Sequence, residues 1–181
     1  MKLHRKILVL SIVVLFSVAS FASYRPVTTE QVAQVTMSAC GLANNIQALE
    51  SADIYVLGNE KIAKELKKYE GCVVGDVVIR SIKSGNTIPK VKPTVVVCGS
   101  KDYVYMAKYY CRKHNILSIG ASPELCKEGL SLSMYRSGDD KDGKSLTKVR
   151  LLLNLEASLN ESVHWKKSIS TVSEKFLSNE S

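Results

Sequence analysis

The chain has 181 residues and a formal net charge of +8. Removal of residues 1–22, which the next paragraph predicts, would leave 159 residues with 22 Lys or Arg and 17 Asp or Glu, because Lys2, Arg5 and Lys6 are lost. A chain of that length forms one ordinary domain with a real core, and a net charge of about +5 spread along it argues against nucleic-acid binding.

The N-terminus has the pattern of a secretory signal peptide. A cationic start precedes the apolar run ILVLSIVVLFSVASFA, in which Ser20 and Ala22 are the small residues before a cleavage site. The fifteen residues from Ile7 to Phe21 are fewer than the roughly 20 that a membrane-spanning helix needs. Cleavage after Ala22 is therefore favoured over an uncleaved anchor, and we expect a single mature domain at residues 23–181 outside the cytoplasm.

Helices and short strands alternate in the first half of the mature chain. The predicted elements are, in order, a helix at 27–49, a strand at 53–58, a helix at 59–71, a strand at 72–82 and a polar connector at 83–93. The first helix is capped by Thr28 or Thr29 and the second by Asn59, and the second strand has a possible break at Gly75.

The second half repeats this alternation and then changes style. The predicted elements are a strand at 94–99, a helix at 100–115 capped by Ser100, a strand at 116–120, two hairpin strands at 130–136 and 146–155, and a helix at 162–177. Strands that alternate with helices predict a mostly parallel sheet with helices on both faces. We expect an α/β fold of three layers with a C-terminal antiparallel hairpin and a terminal helix.

Three of the predicted strands end in a glycine close to a helix-capping residue. These positions are Gly58 and Asn59, Gly99 and Ser100, and Gly120 and Ser122. The carboxyl ends of parallel strands line the crevice where ligands bind in such sheets, so that this edge is a candidate ligand or partner crevice. The alternative, which we favour, is that glycine and a cap merely form short connections.

No catalytic residue, metal site or cofactor is predicted. Ser122 lacks the second glycine of a nucleophile elbow, because Glu124 stands in its place, and Pro123 suits the first turn of a helix better. Cys111 and His114 would supply only two of the four ligands that structural zinc needs. The acidic run at 139–142 lacks the first and last ligands of a calcium loop, which favours a solvated turn.

Five cysteines remain in the mature chain, and in an exported protein disulfides are the expected state. The predicted topology favours pairing Cys98 with Cys126 and Cys72 with Cys111, which leaves Cys40 free. Other pairings stay open.

The segment from Asp53 to Leu177 resembles the YfiR-like family of bacterial periplasmic proteins. Its matching motifs are IYVLG, LKKYEGCVVGDVVIRSI, PTVVVCGS, ILSIGASPELCKEGLSLSMY and VRLLLNLEASLNESVHWKKSISTVSEKFL. Asn154-Leu155, after a basic strand, is the most specific of these features. The sequence departs from the family in its first helix, which has no aromatic residue where the family has several and a Trp-Pro.

The resemblance implies a periplasmic regulator that has no catalytic activity. Such a protein binds and inhibits an integral membrane signalling protein such as a diguanylate cyclase, and thereby lowers cyclic-di-GMP output and biofilm formation. It is released from this partner when an envelope protein sequesters it. It also responds to redox state through its disulfides. The oligomeric state is open, with a homodimer as one alternative. The second function hypothesis is a small-ligand carrier or a hydrolase that uses the crevice at Gly58, Gly99 and Gly120.

Overall fold

The structure is a computed structural model that describes residues 26–136 and 149–176. The predicted signal peptide at 1–22 and the acidic run at 139–142 lie outside the described residues. Within the described ranges, no helix has both the length and the apolar character needed to cross a membrane.

Seven helices and eight strands are present in the described residues. The helices are α1 (Thr29–Leu42), α2 (Asn44–Gln47), α3 (Glu60–Leu66), α4 (Val104–His114), α5 (Pro123–Lys127), α6 (Leu155–Asn160) and α7 (Ile169–Val172). The strands are β1 (Ser51–Leu57), β2 (Val73–Val74), β3 (Val77–Gly85), β4 (Val95–Cys98), β5 (Leu117–Gly120), β6 (Leu132–Arg136), β7 (Val149–Asn154) and β8 (Ser173–Phe176). Single turns of 3-10 helix, Lys67–Tyr69 and Lys101–Tyr103, follow α3 and precede α4.

All eight strands join one sheet in the order β2-β3-β1-β4-β5-β6-β7-β8. Neighbouring strands are parallel except in the pairs β2–β3 and β6–β7. One buried cluster joins the sheet to α1 and α3, and a second cluster joins it to α4. The predicted α/β class, the helices on both faces and the C-terminal antiparallel hairpin are confirmed.

The predicted helix caps are present because each has a short polar side chain at the right position. The backbone N–H of Gln31 donates to Thr28 Oγ1 at 3.2 Å, while Thr28 N–H donates to the Gln31 side chain at 2.9 Å. Asn59 Oδ1 accepts from the N–H of Ile62 at 3.1 Å. Ser100 caps the 3-10 turn before α4.

Residues 72–82 form a hairpin rather than one strand. Gly75 has a φ of +63°, a conformation that other residues rarely adopt, and the chain reverses there between β2 and β3. The Gln47 side chain holds the turn, since it donates to the Val74 carbonyl at 3.0 Å and accepts from Asp76 N–H at 3.0 Å. The possible break at Gly75 is thus the tip of an edge hairpin.

The predicted helix at 162–177 is wrong. Val163 and Ile169 are buried as their helical spacing indicated, but the segment between them pairs with the junction of α1 and α2. Asn44 N–H donates to the His164 carbonyl at 2.6 Å, and Lys166 N–H donates to the Leu42 carbonyl at 2.8 Å. Only α7 is helical, and β8 then runs parallel to β7.

Asn154 fixes the point where β7 becomes α6. Its side-chain oxygen caps the helix by accepting from Ala157 N–H at 2.9 Å, and its amide group donates to the Cys126 carbonyl at 3.2 Å. Asn154 is fully buried, so that neither bond can be replaced by water. The residue therefore joins β7, α5 and α6.

Asn154→Ala is expected to lower the free energy of unfolding by about 2 kcal/mol, because a helix cap and a buried hydrogen bond are both lost. Urea unfolding followed by circular dichroism measures the change. Asn86→Ala, in an exposed connector, is the matched control and should change stability by less than about 0.5 kcal/mol. Equal effects of the two substitutions would contradict this role of Asn154.

Candidate partner-binding surface on helix α4

The glycines of the predicted crevice are neighbours in the structure, but side chains cover them. Leu57 is in register with Cys98, and Cys98 with Gly120, so that the three strand ends meet at one edge. A Cβ atom would lie 2.3 Å from Tyr103 at Gly58, 2.2 Å from Asn59 at Gly99 and 2.6 Å from Leu125 at Gly120. The glycines therefore allow close packing of these side chains.

The two capping serines of this edge act locally. Ser100 accepts from Asp102 N–H at 3.3 Å. Ser122 occupies the N-cap position of α5 with Pro123 after it, but its side chain makes no capping hydrogen bond. The Ser100 hydroxyl in turn donates to Asp102 Oδ2 at 3.1 Å, within the same turn.

All five cysteines lie within the described residues, and each is a free thiol, so that the predicted pairings are not present. Cys72 is exposed and precedes β2 at one edge of the sheet. Cys111 lies on the buried side of α4, so that strands β3 and β1 separate the two cysteines. The Cys98 thiol donates to the Ser100 carbonyl at 3.2 Å, and the Cys126 thiol to the Leu152 carbonyl at 3.5 Å. The order of the strands gives the approximate backbone position of each cysteine, but it does not specify the direction in which each thiol points.

Helix α4 packs one side on the sheet and leaves the other side exposed. Its buried side chains, which contact β4 and β5, are Val104, Ala107, Tyr110 and Cys111. The opposite positions at helical spacing are Tyr105, Tyr109 and Lys113. Tyr105 is 71% exposed and Tyr109 67%, so that two aromatic rings stand side by side in solvent.

Cationic residues line the same surface as the two rings. Together Tyr105, Lys108, Tyr109, Arg112 and Lys113 line a shallow depression of about 570 Å³, which we call the tyrosine face. The Lys113 ammonium lies 5.9 Å from the centroid of the Tyr109 ring, within the range of a cation–π interaction.

Helix α4 lies in a stretch of the sequence that has no acidic residue. The sequence contains no Asp or Glu between Asp102 and Glu124. Glu128, at the end of α5, forms an ion pair with Lys101 at 3.3 Å. The tyrosine face therefore has the composition of a binding surface for an acidic partner, with aromatic anchors inside a cationic border.

A buried carboxylate lies behind this helix. Glu161, just after α6, is fully buried and accepts three hydrogen bonds from two serines. Ser118 donates its backbone N–H at 2.8 Å and its hydroxyl at 2.5 Å, and the Ser131 hydroxyl donates at 2.5 Å. Ser131 N–H donates in turn to the Ser118 hydroxyl at 2.9 Å.

Burial raises the pKa of Glu161 to about 7, while the serine donors and the charge of Arg112 limit the rise. Arg112 therefore lines the tyrosine face and also contributes to the electrostatics of the buried acid. Sequence reasoning missed Glu161 because an acidic residue in a polar stretch is ordinarily exposed. It also missed the tyrosines, although the acid-free stretch with an i, i+4 tyrosine pair is visible in the sequence.

No family model matches the chain, and no curated protein matches it. Among solved structures, it is similar to the crystal structure of a conserved domain protein from Vibrio cholerae O1 biovar El Tor, with a TM-score of 0.52 and 13% sequence identity. The match covers 80% of this chain and 59% of that protein. A likeness at this identity shows the fold alone.

Thiol reactivity is expected to separate Cys72 from the other four cysteines. Burial raises the pKa of Cys40 and Cys126 to about 12 and that of Cys98 to about 11, and also raises the pKa of Cys111. Protein purified without reductant should react rapidly with Ellman's reagent at one thiol, and at five after denaturation. Cys72→Ser should remove the rapid phase, and a denatured count of three or one would reveal disulfides.

The Glu161 carboxyl is expected to make stability fall as pH rises from about 4.5 to about 7. Its pKa is higher in the folded protein than its usual value of 4.5, so that the folded state holds the proton over this range and deprotonation favours unfolding. The loss should be roughly 3 kcal/mol, and Glu161→Gln should remove it. Urea unfolding at several pH values, compared with the exposed control Glu70→Gln, measures the difference; parallel pH profiles for Glu161→Gln and the wild type would contradict it.

Proposed function

We propose that the protein is an exported, non-enzymatic regulator of the YfiR-like type that binds a membrane signalling protein through the tyrosine face. The observation that carries the proposal is the exposure of Tyr105 and Tyr109 side by side on a rigid helix among cationic side chains. Exposed aromatic pairs of this kind are uncommon on surfaces that contact only water and are typical of the centres of protein interfaces.

The tyrosine face suits binding for energetic reasons. A tyrosine buries a large ring at the cost of only two side-chain torsions, and residues of this kind contribute most of the binding free energy at many interfaces. Because Val104, Ala107 and Cys111 fix α4 on the sheet, the backbone positions of the two tyrosines are set before a partner binds. A preorganised surface loses less entropy on association.

The cationic border favours an acidic partner surface. Lys108 and Lys113 line the tyrosine face with the two rings, and a cationic partner surface would be repelled. In this proposal the partner is the periplasmic region of a diguanylate cyclase, as the sequence resemblance implies, and binding lowers cyclic-di-GMP output. An envelope protein that competes for the same face would release the cyclase.

The double substitution Tyr105→Ser/Tyr109→Ser is expected to weaken binding of this protein to the cyclase by at least tenfold, because each buried ring at an interface contributes about 2 kcal/mol. Purified periplasmic regions of the host's diguanylate cyclases, immobilised for biolayer interferometry, provide the measurement. The full chain, expressed in the host, should lower cyclic-di-GMP, and the double variant should not.

Leu159→Ser is the matched control, since this residue of α6 is 75% exposed and lies outside the tyrosine face. It should leave both readouts unchanged, and thermal melts should show that all variants are folded. If no cyclase region binds and cyclic-di-GMP is unaffected, the regulatory function is wrong. If binding occurs but the two variants bind equally well, the tyrosine face is not the interface.

A further inference from the structure

A second concave feature lies on the same side of the sheet as α4. It is a cleft of about 610 Å³ between β1, β3 and the connector at 86–94 that leads from β3 to β4. Its size is within the range of small-molecule sites, which span roughly 300–1,000 Å³. Tyr55, in its floor, also belongs to the buried cluster that joins the sheet to α4.

Hydrogen bonds hold the connector over the sheet. The Tyr55 hydroxyl donates to the Thr87 carbonyl at 2.9 Å, and a Cβ atom at Gly85 would lie 2.3 Å from that hydroxyl. At the other end, Thr94 N–H donates to the Asp53 carbonyl at 2.8 Å, and Asp53 N–H donates to Thr94 Oγ1 at 3.1 Å. The cleft is therefore preformed rather than a gap under a loose loop.

The floor and walls of the cleft are apolar. Tyr55 and Pro93 are buried, and Pro89 and Val91 form the connector side. The side chain of Ile54 packs in the cluster on the opposite face of the sheet. Val91 is 70% exposed although it is an aliphatic residue at the mouth of the cleft. One aromatic ring and two proline rings among the lining residues suit a planar apolar group.

The rim of the cleft is cationic, with four basic residues against one acid. The acid, Asp53, is already paired with Arg80 through two hydrogen bonds and accepts from the Ser81 hydroxyl at 2.6 Å. Arg80, followed by Ser81, keeps the pKa of Asp53 below its usual range, so that the ion pair persists. Among the described residues, no carboxylate forms an ion pair with Lys83, Lys90 or Lys92.

We infer that this cleft binds a small molecule with a planar apolar body and an anionic group, such as a phosphate or a carboxylate. The body packs on Tyr55 and the prolines, and the anion lies between Lys83, Lys90 and Lys92. The Asp53 carboxylate is hydrogen-bonded to Arg80 and Ser81, and its charge also acts on Lys83, so that the four basic residues of the cleft leave an excess of positive charge. The site is separate from the tyrosine face and from the crevice at Gly58, Gly99 and Gly120.

Titration with three probes tests this inference on the full chain. The probes are 1-naphthyl phosphate, 1-naphthol and inorganic phosphate, followed by ¹H–¹⁵N correlation spectra. We expect 1-naphthyl phosphate to bind at least tenfold more tightly than either of the others, with shifts at the amides of Tyr55, Gly85, Thr87 and Val91. Shifts confined to Tyr105–Lys113, or equal binding of all three probes, would overturn the inference.

Lys90→Gln/Lys92→Gln should weaken 1-naphthyl phosphate about five- to tenfold, with no change for 1-naphthol, because two solvent-exposed charge contacts are removed. Lys61→Gln/Lys64→Gln, two exposed lysines of α3, is the charge-matched control and should have no effect. Equal losses in both variants would indicate a general effect of net charge and overturn the site. The Lys90→Gln/Lys92→Gln variant should still bind the cyclase region. Loss of the small-molecule site can therefore be distinguished from failure of the proposed regulatory function.

Discussion

The carboxylate of Glu161 occupies a gap that the sheet itself creates. Strands β5 and β6 pair only at Ile119–Leu132 and Gly120–Ser133, so that the N–H of Ser118 has no partner in β6. Glu161 accepts that N–H and binds the hydroxyls of Ser118 and Ser131, on either side of the gap. Burying a carboxylate costs several kcal/mol, and the serine hydrogen bonds offset that cost only in part, since burial still raises the pKa of Glu161 to about 7. The position of α6, and of the chain that follows it, depends on this contact.

The topology explains why both surfaces lie on one side. The connection from β1 to β3 carries α3 on one face of the sheet, while the connection from β4 to β5 carries α4 on the other. The connection from β3 back to β4 has no helix. Strands β1 and β3 are therefore covered on the α4 side only by an irregular connector, which leaves a cleft beside the helix. Basic residues line both features.

Local signals in the sequence predicted the order of helices and strands in the first two thirds of the fold, except that residues 27–49 form two helices and residues 72–82 form a hairpin. Thr28, Asn59 and Ser100 cap their helices as predicted, because a cap depends on residues within one turn. The C-terminal segment could not be predicted in this way. Val163 and Ile169 have helical spacing, yet their burial comes from contacts made by a loop and a single turn. The free edge of β7 recruits 173–176 as a strand, which is a tertiary effect.

The candidate sites also combine features that local sequence signals predict with features that depend on tertiary contacts. The meeting of the three strand ends follows from parallel topology, but whether space remains there depends on Tyr103, Asn59 and Leu125, whose directions no periodicity specifies. Periodicity identified the buried side of α4 and, by the same reasoning, its exposed tyrosines could have been noticed.

The hydrogen bond between Asn44 and His164 joins the first helices of the domain to the segment that follows α6. A chain that emerges from a ribosome or a membrane channel N-terminus first cannot complete the packing of its first helix until its last residues arrive. A chain that has only partly emerged therefore stays incompletely folded, and an incompletely folded chain passes through a channel more easily.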